Sequence, residues 1–294
     1  MQKTLKILLC SLGVFLSLQA NAETELSKTE REMDRSKSSL ELKSADGNFS
    51  IGFMGYLQQD NSFNYHGTTG DKNLSFNLNA ARLGFYGSAF HPSLTYFIQT
   101  GFEHDGGVAV AGAVAGSKYL RDYYLNYEAH KRVQLRIGKF GMPFGRQNMI
   151  LGSHQQFYKN SAASMALGEA GKDVGFMVHN GRNETVEWAA ALVTNGLVAR
   201  AGYNHGGIDG YELTDFNGGP LRFAVALNGA ALFGNVLQPN LDNIYTGVDF
   251  LVKVKHFSTN GMFIHNFMKQ GTDAGAHSFA AGLDMGYLMH GRYE

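Results

Sequence analysis

The sequence predicts an all-β protein, a transmembrane antiparallel β-barrel, and three observations carry that prediction. The 294 residues include 37 glycines, 21 phenylalanines and 14 tyrosines but four prolines and one tryptophan, and only 17% are charged. That profile belongs to strands and turns rather than to a helical core. From Phe49 onward apolar and polar residues alternate with period two, in segments of about nine or more residues, the length a tilted strand needs to cross a bilayer. No apolar run beyond residue 22 approaches the ~20 residues of a membrane helix, so a membrane-spanning form has to satisfy its backbone as a closed barrel. A secreted soluble β protein is the alternative fold, and it would carry shorter strands around an enclosed core.

The elements follow in order. Residues 1–22 carry Lys3 and Lys6, an apolar run from Leu5 to Leu18 and the small residues Ala20 and Ala22, the pattern of a cleaved secretory signal. Residues 23–46 are charged and hydroxylic, with Leu26, Met33 and Leu40 seven residues apart, and read as a polar periplasmic tail or a short helix. Residues 47–294 read as the barrel. Within them Tyr123, Leu125 and Tyr127 oppose Asp122, Asn126 and Glu128, and Val133, Leu135 and Ile137 oppose Gln134 and Arg136. Val186, Trp188, Ala190 and Leu192 oppose Glu187, and Val248, Phe250 and Val252 oppose Asp249 and Lys253. One face of each strand is apolar and the other wet. Short turns at His91-Pro92, at His130 and at Asn180 alternate with long connections at 59–74, 105–117, 140–171 and 196–219. Short connections on one side and long ones on the other is the rule of outer-membrane barrels. There is room for about 11 or 12 strands, with no clear assignment after Asn228, and the chain stops in what reads as mid-strand, as a barrel lacking its last strands would.

Charge and motifs exclude other classes. Without Lys3 and Lys6 there are 23 basic residues against 25 acidic ones, so nothing favours nucleic acid. The one cysteine, Cys10, lies in the leader, and the eleven histidines include no zinc-binding spacing, so no metal or organic cofactor is implied. The basic, glycine-punctuated stretch from Arg136 to Tyr158 lacks the Gly-Lys-Ser/Thr of a phosphate-binding loop. Ser153 and His154 could seed a barrel-embedded hydrolase, but neighbours on an extended chain point oppositely.

The segments "LRDYYLNY" from Leu120, "RIGKFGMPFGRQN" from Arg136, "QQF" from Gln155 and "GKDVGFMVHNG" from Gly171 resemble the phosphate-selective porin O and P family of bacterial outer-membrane proteins. The resemblance implies a 16-stranded, trimeric barrel whose loop after the fifth strand folds inward as a constriction, here the loop from Phe140 to Gly171. It also implies an anion path lined by arginines, for which Arg82 and Arg136 are the candidates. Asn79 and Ala80 stand where phosphate-selective members carry further arginine, a departure that bears on phosphate selectivity and not on the porin reading. From Lys139 to Lys172 this stretch carries Lys139, Arg146, Lys159 and Lys172 against Glu169 alone. With the polar-face Glu103 and Asp122, and with His154, these complete the candidate constriction set. A charge 5 Å from a passing ion contributes about 0.8 kcal/mol at the dielectric of water and about 3 at an effective value of 20. A surplus of one or two cations therefore biases a wet constriction toward anions. The expected activity is passive diffusion of small hydrophilic solutes with a mild anion preference, in contact with outer-membrane lipid and lipopolysaccharide. A structural or adhesive barrel without conductance is the second reading.

Overall fold

The computed structural model describes residues 41–65, 72–102, 120–130, 132–155, 171–234, 241–272 and 274–289. The expectations for the leader and most of the polar tail, for Glu103 and for Lys159 lie outside these residues. Thirteen strands form one antiparallel sheet in strict sequence order. They are β1 (Glu41–Lys43), β2 (Ser50–Tyr65), β3 (Lys72–Ala89), β4 (His91–Gly101), β5 (Leu120–His130), β6 (Val133–Gly141), β7 (Lys172–His179), β8 (Val186–Val193), β9 (Gly196–His205), β10 (Arg222–Leu232), β11 (Leu241–Val254), β12 (Phe257–Gln270) and β13 (Ala276–Tyr287). The only helices described are the single turn α1 (Arg146–Met149) and a 3-10 turn at Gly152–His154.

The strands depart from the expected 11 or 12 and from the expected connections in three places, each with a physical reason. Glu41–Lys43, assigned to the polar tail, pairs with Ser50–Gly52. The long connection expected at 59–74 is mostly strand, because a bulge opposite Gln58 and Gln59 leaves Asn79 unpaired. An extra residue flips the alternation, so Leu74, Phe76 and Leu78 lie on the same exposed face as Leu83 although their parities differ. The connection expected at 196–219 begins with β9, in which apolar residues occupy both faces and mask the period: Leu197 and Tyr203 are exposed while Val198 is buried.

Elsewhere the alternation places side chains as expected. Val186, Trp188 and Leu192, and Phe279, Leu283 and Met285, are exposed, whereas Glu187 and Asp249 are buried. A continuous exposed apolar face across a whole sheet, with charges sealed on the other, is the inverse of a soluble sandwich and suits lipid. The connection between β6 and β7 touches opposite ends of the sheet: Gln147 donates to Asp284 of β13, and Gly152 abuts the Tyr56 hydroxyl of β2. The sheet is therefore wrapped around this segment, and the polar face is the inside of a lumen. Among the described residues no pairing joins β13 to β1 or β2.

Candidate functional site

The inward segment begins where β6 ends. The Met142 amide donates to Gly171 O (2.7 Å) and that of Phe144 to Met142 O (2.7 Å), turning the chain off the wall. Gly145 sits at φ 72°, a region that side chains avoid, and its amide donates to Asn228 Oδ1 at 2.9 Å. The turn drives Phe144 between the walls, where it is fully buried with its ring 6.2 Å from that of Tyr245. Small residues make the room: Ala189, Ala191 and Ala230 line this half of the lumen, with Met142, Met177 and Met262 packed against them.

Arg146 follows and is not a solvated loop charge. It is 3% exposed, with Nε donating to Asp249 Oδ1 (3.2 Å) and Nη1 to Gly210 O (2.7 Å). Asp249 also accepts from Arg200 Nη2 (2.9 Å) and Asn228 Nδ2 (2.9 Å). Two buried arginines thus share one carboxylate, which Asn228 also holds, so removing that carboxylate leaves two buried cations uncompensated. The spacing of "GVDFLVKVK" puts Asp249 on the polar face of its strand, whereas its partner Arg200 falls within the connection that the sequence suggests at 196–219 and that the structure forms as β9.

The other half of the lumen is open. A cavity there is lined by Asp122, Arg136, Lys172, Arg182, Glu187 and Arg200 among others. Arg136 donates through Nε to Asn126 Oδ1 (3.2 Å) and lies over the Tyr124 ring at 4.3 Å. Arg182 lies over Tyr211 at 4.5 Å, and Arg82 over Tyr56 at 5.6 Å. Arg182 also donates through Nη2 to Met149 O (3.3 Å), so ring contact and hydrogen bonding together hold these guanidinium groups in place. Lys172 ion-pairs with Asp122, so its charge is spent locally.

Lys139 is placed differently from expectation. It was assigned to the lumen on the premise that β6 had ended, but the strand runs on to Gly141, and Lys139 keeps the outward parity of Ile137. Its Nζ donates to Leu120 O at 3.4 Å. His154 faces Glu212 (Nδ1 to Oε2 4.0 Å), and its carbonyl accepts from the Leu213 amide (3.2 Å). Of the expected set, Arg82, Asp122, Arg136, Arg146, His154 and Lys172 come together around the lumen. The surplus expected of the loop is rewritten by these pairings. Around the cavity itself, among the described residues, Arg136, Lys172, Arg182 and Arg200 stand against Asp122 and Glu187, four cations against two carboxylates.

Residues 206–221, between β9 and β10, enter from the opposite end of the sheet. Ile208, Tyr211 and Leu213 are buried with Ile150 of the β6–β7 segment and Leu251 of β11. Tyr211 donates its hydroxyl to Glu187 Oε2 at 3.0 Å. Burial first, and the Glu187 carboxylate second, raise the Tyr211 hydroxyl above its ordinary range, so it remains a donor.

A sheet with an apolar outside, a charged inside and a chain segment folded into the lumen defines a transmembrane porin-type barrel wall. The model of the phosphate-selective porin O and P family matches residues 51–292, and the chain belongs to that family. Among solved structures, the anion-selective porin from Comamonas acidovorans shares the fold with a TM-score of 0.52 at 12% identity, over 81% of this chain and 73% of that one. No curated protein sequence shows significant similarity to the chain.

Proposed function

We propose that this protein is an outer-membrane porin that passes small hydrophilic solutes by diffusion and favours anions, and that it assembles as a homotrimer. The observation that carries the reading is the lumen cavity with its cation surplus. Arg136 and Arg182 are laid on aromatic rings beside it, while the carboxylates at its edge are committed, Asp122 to Lys172 and Glu187 to Tyr211 and the Asn183 amide. A surplus of two positive charges in a water-filled constriction biases permeation toward anions by several-fold. The anion selectivity named for the Comamonas acidovorans porin agrees with this direction. The pairing of Arg146 and Lys172 with carboxylates favours a general anion preference over selection of phosphate. Planar-bilayer recordings of the purified full chain under chloride, phosphate and potassium gradients test the proposal. Discrete steps with reversal potentials on the anion side are expected, and potassium-favouring potentials or silent membranes would count against it. The trimer is tested by crosslinking in detergent.

A further inference from the structure

The two inward segments come from opposite mouths. Connections at the end that holds the β3–β4, β5–β6 and β11–β12 turns are one or two residues long, except that β7 and β8 are joined by 180–185, β1 and β2 by 44–49, and β9 and β10 by 206–221. The last of these is anchored at its base, where Arg222 Nη2 donates to Asp215 Oδ1 (2.7 Å), the His256 amide to Asp215 Oδ2 (3.0 Å) and the Lys255 amide to Gly219 O (2.9 Å). Its tip is then sewn to the β6–β7 segment through Arg146 to Gly210 O and Leu213 to His154 O. A surface turn has no need of such a tip: Ile208 and Leu213 are 2% and 1% exposed, inside the lumen. Tyr211 alone of this tip lines the open cavity, opposite Arg136 and under the Arg182 guanidinium.

We infer that residues 206–221 form a second constriction element, and that Tyr211 is a specificity-determining residue that limits solute size from the turn end of the lumen. This rests on the channel reading above. The β6–β7 segment fills the lumen against β8–β12, and the Tyr211 ring closes part of what remains, so the cutoff is set jointly by two segments that Arg146 ties together. The sequence's one cysteine is Cys10, so a thiol placed at 211 is the only one between residues 23 and 294.

The test compares the native full chain with Tyr211→Ala, Tyr211→Cys and a chain in which 208–213 is replaced by two glycines. Each is first checked for folding by heat-modifiable gel mobility. Tyr211→Ala should raise single-channel conductance about two-fold and admit trisaccharides in liposome swelling, with a larger rise for the shortened chain. Tyr211→Cys should behave like the alanine variant until labelled with a bulky thiol reagent, and return toward native conductance afterwards. Tyr211→Phe should keep the native cutoff, which separates a steric role from one exerted through Glu187. Folded variants with native conductance and cutoff overturn the inference while leaving the channel reading intact. Silence of native and variant chains alike overturns both.

Discussion

The two halves of the lumen wall differ in what their inward residues leave room for. From β8 to β12 these include Ala191, Ala224 and Ala230, and the space so made is taken by Phe144 and Met142 at Ala191 and Ala230 and by Ile208 and Leu213 at Ala224. From β3 to β7 they include Tyr86, Phe97, Tyr124, Arg136 and His179, and the space beside them is the cavity. Side-chain volume on one half draws the chain's own loops to it and leaves water for the other. In a diffusion channel a packed side gives the loop a fixed position, and the polar side then inherits a defined width and charge.

That contrast can be broken from the packed side first. Asp249→Ala leaves Arg146 and Arg200 without their shared carboxylate, and losing one partner of a buried pair costs about 3–5 kcal/mol. Thermal unfolding followed by gel mobility should show the largest loss of stability of the set. Phe144→Ala removes the fully buried anchor, for about 3 kcal/mol, and should add noisy conductance substates as the segment leaves the wall. Unchanged steps would mean that the ring does not hold the segment. Val248→Arg places a charge at the middle of β11 on the exposed face and should cost about 2–4 kcal/mol in a lipid bilayer; a much smaller loss on folding into vesicles would argue that this face does not meet lipid. Arg136→Ala, on the open side, should leave stability nearly unchanged. It should lower the anion-to-cation permeability ratio roughly four-fold, the equivalent of about 0.8 kcal/mol, read from reversal potentials.

Much of the wall was legible from alternation, since residues with one strand parity face one way wherever pairing is regular. Tyr123, Leu125 and Tyr127 opposing Asp122 and Asn126 needed no tertiary information. Reading failed where local rules are broken by one residue or made ambiguous by composition. The bulge at Asn79 reverses parity within a strand, and the alanine-rich β9 offers no polar face except Arg200 and Asn204. The site was less legible than the wall. Arg146 and Lys172 looked like free charges because their partners, Asp249 and Asp122, lie 103 and 50 residues away in sequence. Lys139 was assigned by assuming a strand end that backbone pairing with Val174 and Asp173 postpones.

The sequence alone determined the all-β class, the direction in which most strands face, and the basic, glycine-hinged stretch after Arg136 as the place where the chain leaves the wall. These are local consequences of side-chain period and backbone freedom. Only the tertiary structure decided which charges survive. Ion pairing depends on distances between strands far apart in sequence, and it cancelled Arg146 and Lys172 while bringing Arg182 and Arg200 to the cavity. It also decided that residues 206–221 turn inward, because Ile208 and Leu213 are buried on a surface that Ile150, Ala224 and Leu251 make together from segments far apart in sequence.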